Sequence, residues 1–221
     1  MFPDLTRDDV FRLETQRLWL RWPRASDAAA IARIAGRPDV ALMTAAIPHP
    51  YPAGAAQRFV LAAREGNAEG RAMELVATLK TTREPVGLVS ARQAAEGIEI
   101  GYLIDPERWG EGLASEAVEA LIDVVFALTF ASRLVARVFP ENLASQRVLE
   151  KLGFAFEGEE TADLPARGGA KRFRRYRANR EARAGLRARR VPAMTQQEPT
   201  QQGPTQQAIG RASADAPPAW A

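Results

Sequence analysis

The sequence predicts an α/β domain in which helices flank a sheet, followed by a C-terminal tail. Segments with the alternating polar and apolar residues of a strand take turns with amphipathic helical segments. Glycine, proline and capping residues stand at the boundaries between these segments. From about Val191 the chain is rich in Gln, Pro and Thr and repeats a Pro-Thr-Gln-Gln unit, which predicts a disordered tail.

Composition narrows the class of protein. The chain has 221 residues, of which 46% are hydrophobic, enough to build a core. No apolar run approaches the roughly 20 residues that span a bilayer, and the N-terminus lacks the pattern of a secretory signal. We therefore expect a cytoplasmic protein without membrane contact. The absence of cysteine and the single histidine, His49, exclude disulfides and multi-histidine metal sites, so no metal is expected.

The first half of the domain is predicted to contain two helices and four strands. In chain order these are a strand at 17–22, helices at 27–35 and 53–65, and strands at 72–79, 86–92 and 98–104. Ser26-Asp27 is expected to cap the first helix, and Gly36-Arg37-Pro38 to end it. A proline-rich loop with His49 and Tyr51 follows, and the turn at 82–85 predicts a hairpin.

The main element predicted in the second half of the domain is one long helix, from near Gly112 to about Thr129. Its apolar face is expected at Ala117, Leu121, Val124 and Leu128. The remaining elements are a strand at 134–139, a helix at 142–152, and strands at 154–160 and 172–177. Asn142 is the expected N-cap of the short helix and Gly153 its C-cap. The domain is therefore placed at 12–180 and the tail at 181–221.

The loop before the long helix, Trp109-Gly110-Glu111-Gly112-Leu113-Ala114, predicts an anion site. The first N–H groups of a helix have no partner in the helix, and its dipole favours negative charge. Gly110 and Gly112 let the backbone approach a diphosphate closely. No Lys-Ser/Thr follows Gly112, and Ser115 stands where a dinucleotide fingerprint has its third glycine, so neither of those phosphate loops fits. Taken alone, the loop is equally consistent with a tight turn.

Several short motifs follow one another between residues 12 and 178. They are Glu14-Thr15-Gln16-Arg17-Leu18-Trp19-Leu20-Arg21, Ser26-Asp27-Ala28, Gly87, Glu99-Ile100-Gly101-Tyr102, Trp109-x-x-Gly112-x-Ala114, Asn142-x-x-Ser145 and Glu150-Lys151-Leu152-Gly153-Phe154. In this order they resemble the GNAT superfamily of acyltransferases, in particular its RimJ/RimL-like branch. The resemblance implies the GNAT fold of the α+β kind: a mixed, mostly antiparallel sheet whose strands splay apart at the cofactor site.

The resemblance also implies acetyl-coenzyme A as co-substrate. Its pyrophosphate is expected on the loop and first helical turn, at Trp109, Gly110, Glu111, Gly112, Leu113, Ala114 and Ser115. Its pantetheine arm is expected along the strand at Tyr102, Leu103 and Ile104, where Gly101 fits a bulge or bend. Asn142 and Ser145 are expected near the thioester, although a plain N-cap and a solvated helical serine are the simpler alternatives for these two residues.

For catalysis the resemblance implies direct attack of an amine on the thioester. Glu99 is the candidate base, with a water relay or a solvent-facing strand residue as alternatives. Some relatives use a Glu and a Tyr where Arg137 and Leu149 stand here, which leaves Ser145 or water as the proton donor. His49 and Tyr51 lie where this branch builds its acceptor pocket, and both are candidate substrate-binding residues or ordinary loop residues.

The acceptor is expected to be a protein N-terminal α-amine. The alternatives are a small amine such as an aminoglycoside or polyamine, which an acidic pocket would favour, and a non-catalytic acyl-CoA-binding module. Ten Lys and Arg residues between Lys171 and Arg190, against the single acid Glu181, could contact nucleic acid or the ribosome. A basic final strand followed by a solvated, frayed helix is the favoured explanation, because only Phe173 and Tyr176 are interleaved aromatics. The oligomeric state, a dimer included, is left open.

Overall fold

The strands of the domain form a single mixed sheet. The computed structural model of the protein describes residues 11–164, 168–181 and 183. Within these residues the strands are β1 (Arg12–Glu14), β2 (Leu18–Arg21), β3 (Ala72–Leu79), β4 (Pro85–Ala94), β5 (Gly97–Ile104), β6 (Arg133–Val138), β7 (Ala155–Leu164) and β8 (Gly169–Asn179). Their order in the sheet is β1-β2-β3-β4-β5-β6-β8-β7. Neighbours are antiparallel except β5 and β6, which confirms the mixed, mostly antiparallel sheet.

The helices lie close to their predicted positions. They are α1 (Ala28–Ala35), α2 (Pro38–Ala41), α3 (Ala55–Ala68), α4 (Leu113–Leu128) and α5 (Leu143–Lys151), with short 3-10 turns at Ala25–Asp27 and Pro106–Arg108. The sequence predicted neither α2 nor β1. With four residues, α2 is too short to show a helical periodicity, and β1, with three, is too short to show strand alternation. α1 ends at Ala35, directly before Gly36-Arg37-Pro38 as predicted, and Pro38 then begins α2, because proline fits the first helical position.

Asp27 does not cap α1 as predicted. It stands at the N-cap position, but its side chain forms no capping hydrogen bond with α1. Instead its two carboxylate oxygens accept hydrogen bonds from the Arg21 guanidinium at 2.7 and 2.8 Å. One of the oxygens also accepts the Arg24 backbone N–H at 2.7 Å. Both side chains of the ion pair are buried, so the pair ties β2 to the start of α1.

Two apolar clusters cover the two faces of the sheet. The larger contains α4 and α5, and the smaller contains α1 and α3. Consecutive residues of β3 belong to different clusters, Leu75 to the larger and Val76 to the smaller, as strand alternation requires. The buried face of α4 is rotated from its predicted position: Ala117 and Leu121 are buried as expected, but Leu128 is 63% exposed.

The parallel pair β5–β6 separates soon after it begins. The two strands pair only at Ile98 with Leu134 and at Glu99 with Val135. From Ile100 onward β5 has an open edge on this side, which confirms the splayed strands. The predicted bulge at Gly101 is wrong, because the register between β4 and β5 is continuous and Gly101 faces Ser90. A Cβ at Gly101 would lie 2.8 Å from the Ser90 Oγ, so close approach explains this glycine.

The basic segment that begins at Lys171 is largely paired within the fold. Arg175 and Arg177 contact Glu96 of the β4–β5 turn and Glu157 of β7. Arg183 lies beyond the predicted domain end, yet it is buried against Glu119 and Asp123 of α4. Of the described arginines in this segment, Arg172, Arg175, Arg177 and Arg183 pair with carboxylates of the fold, which gives no support to the possible nucleic-acid contact. Residues 184–221, the rest of the predicted tail, lie outside the described residues. No helix of the described part is long and apolar enough to cross a membrane.

Arg180 is expected to hold the end of β8 on the end of α4. Its guanidinium donates to the Phe126 carbonyl, and to those of Thr129 and Ala131 at 2.7 and 2.9 Å. Phe126 lies in the last turn of α4, whose carbonyls have no partner within the helix, and Thr129 and Ala131 follow the helix, so Arg180→Ala removes a donor from all three carbonyls. We expect the free energy of unfolding in urea to fall by about 2 kcal/mol. Arg172→Ala, which removes an exposed ion pair with Glu159, should change it by less than about 0.5 kcal/mol. Equal losses in the two variants would contradict this role.

Candidate active site

The loop before α4 has the geometry of an anion cradle. Gly110 and Gly112 have φ values of +83° and +78°, the left-handed region that favours glycine. The first helical hydrogen bond of α4 runs from Glu116 N to Gly112 O, so the three N–H groups between them have no helical acceptor. The space beside Gly110 is open, since a Cβ built there meets no atom within 4 Å. An anion could therefore approach these N–H groups directly.

Hydrogen bonds from Thr15 and Arg17, which directly precede β2, hold this loop and the start of α4 in place, and we call this set of contacts the clamp. Arg17 donates from its side chain to the Glu111 carbonyl at 2.8 Å and to the Glu116 carboxylate at 2.7 Å. The same carboxylate accepts the Arg17 backbone N–H at 2.6 Å and the Thr15 hydroxyl at 2.5 Å. Burial alone would raise the pKa of Glu116, but these hydrogen bonds outweigh it and lower the pKa. The clamp therefore stabilises the fold at neutral pH and is lost as the pH falls through the lowered pKa.

Glu116→Gln is expected to weaken acetyl-CoA binding about three- to fivefold. A neutral amide keeps part of the hydrogen bonding but loses the charge that anchors Arg17, and the loop is less well held. Titration calorimetry with acetyl-CoA measures the effect. Glu119→Gln, one turn further along α4 and paired with Arg183, is the matched control. Unchanged affinity in Glu116→Gln, or an equal loss in the control, would remove the clamp from the site.

A cleft of about 550 Å³ extends from this loop to residues 102–104 of β5 and to the start of α5. The predicted cofactor residues that line it are Tyr102, Leu103, Ile104, Trp109, Gly110, Gly112, Leu113, Ala114, Ser115, Asn142 and Ser145. Glu111 is the exception, since it is absent from the lining and turns its carbonyl to Arg17. The Trp109 indole donates to the Ile104 carbonyl at 2.8 Å, which fixes the loop against the strand. The fold thus brings distant segments of the sequence around one cleft.

A second cavity, of about 590 Å³, lies beside the first on the side of α1 and α3. It contains Tyr51, Glu99 and apolar residues of both helices. Burial raises the pKa of Tyr51. His49 is exposed and does not line either cavity, although its loop neighbour does. Of the two predicted substrate residues, the structure therefore places only Tyr51 at a cavity.

The two cavities meet at a small set of shared residues: Met43, Thr44, Tyr102, Leu103, Asn142 and Ser145. The Tyr102 hydroxyl donates to the Ser145 backbone carbonyl at 3.0 Å, and burial raises the pKa of Tyr102 to about 12. The Asn142 side chain accepts the Ser145 N–H at 3.0 Å, which confirms its role as N-cap of α5. A ligand in one cavity can reach a ligand in the other at this junction.

Glu99 lines the second cavity but lies outside the shared set. Its two carboxylate oxygens accept hydrogen bonds from Arg137 at 2.8 and 2.9 Å. This bond raises the pKa of the Arg137 guanidinium, which also lies 3.7 Å from Glu160. Glu99 is thus a fixed, paired carboxylate, and a proton from the junction would reach it most directly through water.

Sequence reasoning missed several residues of the site. Met43 and Thr44 lie at the junction, and Arg58 and Arg92 line the second cavity. In a sequence, an arginine on a helix surface is interpreted as solvent-exposed whether or not it faces a cavity. The segment around Met43 shows no helical or strand periodicity. Arg137 was noted only as a departure from relatives. Its contact with Glu99 depends on strand register, which one sequence does not specify.

Comparison with known proteins points to one family. Residues 17–155 match the family described as an acetyltransferase (GNAT) domain. The chain is 32% identical over 149 residues, 66% of its length and 83% of the relative's, to the uncharacterized N-acetyltransferase p20 of Bacillus licheniformis.

Two solved structures share the fold. The ribosomal-protein-S5-alanine acetyltransferase of Vibrio fischeri has a TM-score of 0.65 at 27% identity, covering 76% of this chain and 96% of its own. RimJ of Mycobacterium smegmatis, solved with CoA-disulfide, has a TM-score of 0.67 at 25% identity, covering 80% and 93%.

Proposed function

Because the chain belongs to the GNAT family of acetyltransferases, we propose that it transfers an acetyl group from acetyl-CoA to a protein N-terminal α-amine. The observation that carries this proposal is the junction of two cavities at Tyr102, Asn142 and Ser145. One cavity begins at an anion cradle and suits a nucleotide-bearing donor. The other is open to an acceptor. Their meeting suits direct attack of the amine on the thioester, and the absence of cysteine excludes a cysteine acyl-enzyme.

The residues around the first cavity fit acetyl-CoA. The open space at Gly110 and the unpaired N–H groups after Gly112 suit the pyrophosphate. The free edge of β5 beyond Glu99 offers backbone hydrogen bonds to the peptide-like pantetheine arm. Acetyl-CoA supplies an activated thioester, and a backbone N–H of this edge would polarise its carbonyl. Much of the acceleration then comes from holding amine and thioester together at the junction.

The proton of the amine would leave through water to Glu99. Arg137 holds both oxygens of this carboxylate, so it is a positioning residue for the base. Ser145, or a water beside it, would return a proton to the departing thiolate. An α-amine has a pKa of about 7.7–8, against about 10.4 for a lysine, so a weak base is sufficient only for the former.

The charges of the second cavity favour an N-terminal acceptor over a polycation. An aminoglycoside or polyamine would need unpaired carboxylates, but the lining carboxylates Glu74 and Glu99 are bound to Arg92 and Arg137. The Vibrio fischeri protein supports the same choice, since it is named for acetylating a ribosomal protein.

An acceptor screen tests the proposal. Release of free thiol from acetyl-CoA is measured with peptides that differ in their N-terminal residue, alongside spermidine and an aminoglycoside. We expect turnover with one or more peptides and at most slow reaction with the polycations. Faster reaction with a polycation would overturn the acceptor assignment. Tight acetyl-CoA binding without turnover on any amine would favour the non-catalytic module.

A further inference from the structure

The second cavity carries an excess of positive charge. Its charged lining residues are Arg58, Glu74, Arg92, Glu99 and Arg137, three cations against two anions. Glu74 is 5% exposed and is bound to Arg92, and Glu99 is held by Arg137 through two hydrogen bonds. Each carboxylate is therefore neutralised by an arginine of the same cavity. The remaining cation is Arg58.

Arg58 has no carboxylate partner among the described residues. Within the described part of the chain it forms a single long hydrogen bond, 3.4 Å from Nη1 to the Ala53 carbonyl. The side chain is exposed while lining the cavity, which places it at the rim. A guanidinium has five donors, so most of its hydrogen-bonding capacity is available to a ligand.

Tyr51 adds a second polar group to the same rim. It lines the cavity with Arg58, and the charge of Arg58 acts on its hydroxyl. The lining also includes apolar residues, among them Ile31, Ile47 and Phe59. The cavity thus offers a cation and a hydroxyl that lie outside the set of residues it shares with the first cavity.

We propose that Arg58 is a specificity residue that binds a carboxylate of the acceptor, so that the enzyme prefers peptides with an acidic residue just after the N-terminal amine. This inference rests on the proposed function and adds the chemical class of acceptor. A carboxylate suits the site because the guanidinium fork can donate two parallel hydrogen bonds to it. The Tyr51 hydroxyl can donate a third.

The experiment uses three peptide amides, Ser-Glu-Glu-Trp, Ser-Gln-Gln-Trp and Ser-Lys-Lys-Trp, whose only anions are the Glu side chains. Their dissociation constants are measured by calorimetry with the full-length protein, and their kcat and KM with acetyl-CoA. We expect the Glu peptide to bind about fivefold more tightly than the Gln peptide at low salt, the upper range for an exposed ion pair. Arg58→Gln should remove this difference through KM with kcat little changed, and Arg58→Lys should retain part of it.

Arg71→Gln is the matched control, because Arg71 lies past the other end of α3, pairs with Glu69 and lines neither cavity. It should keep the full preference for the Glu peptide. Equal binding of the Glu and Gln peptides, no detectable binding of either, or the same change in Arg58→Gln and Arg71→Gln would overturn the inference. If the Gln peptide is turned over and no charge preference is found, the inference fails but the proposed function stands. If calorimetry shows the preference for the Glu peptide but no peptide is turned over, only the proposed function fails.

Discussion

Replacing Gly112 with Val is expected to lower the affinity for acetyl-CoA by about 100-fold. The residue has φ +78°, which a β-branched side chain adopts only with strain. If the backbone relaxes, the N–H groups at the start of α4 turn away from the pyrophosphate, and two charge-assisted hydrogen bonds at about 1.5 kcal/mol each account for that loss. Calorimetric titration of acetyl-CoA measures it directly.

Gly70→Val separates backbone strain from loss of the cradle. Gly70 has φ +69°, and a Cβ built there meets no atom within 4 Å. Gly112 is similar, since the one atom near its Cβ is a guanidinium nitrogen of Arg17 at 3.7 Å. It lies in the turn after α3, and it lines neither cavity. Both variants should lose similar stability, but only Gly112→Val should lose affinity. Unchanged acetyl-CoA binding in Gly112→Val would show that the cradle is not the cofactor site.

Glu99→Gln is expected to slow acetylation of an N-terminal α-amine roughly tenfold at pH 7. Without a base, the reaction depends on amine that is already neutral, about one molecule in ten at this pH for a pKa near 8. The loss should therefore shrink to within about twofold at pH 9. The measurement is kcat/KM from pH 6 to 9.5 with one peptide acceptor.

Glu96→Gln is the control for this variant. Glu96 lies in the β4–β5 turn, pairs with Arg175 and Arg177, and lines neither cavity. It should leave the pH profile of kcat/KM unchanged. A Glu99→Gln enzyme with an unaltered rate at pH 7, or a loss that is constant across pH, would exclude Glu99 as the proton acceptor.

Local signals in the sequence were enough for the elements and for the cradle. The glycines at 110 and 112 and the N-cap at Asn142 act through hydrogen bonds and dihedral angles of their own neighbourhood, so their positions could be predicted. The Gly101 bulge was wrong because a glycine in a strand has two explanations, a bulge and a close approach, and only the Ser90 contact distinguishes them.

The sequence by itself determined the family, the fold and the loop that would hold the donor, since each depends on residue types in a fixed order along the chain. Tertiary structure decided the rest. It paired Glu99 with Arg137 across two strands, clamped the loop through Arg17 and Glu116, and left Arg58 as the lining cation of the second cavity without a carboxylate partner among the described residues. These contacts join residues far apart in sequence, and the charge of a cavity depends on which side chains neutralise one another. That pairing is set by register and packing, which no local pattern records.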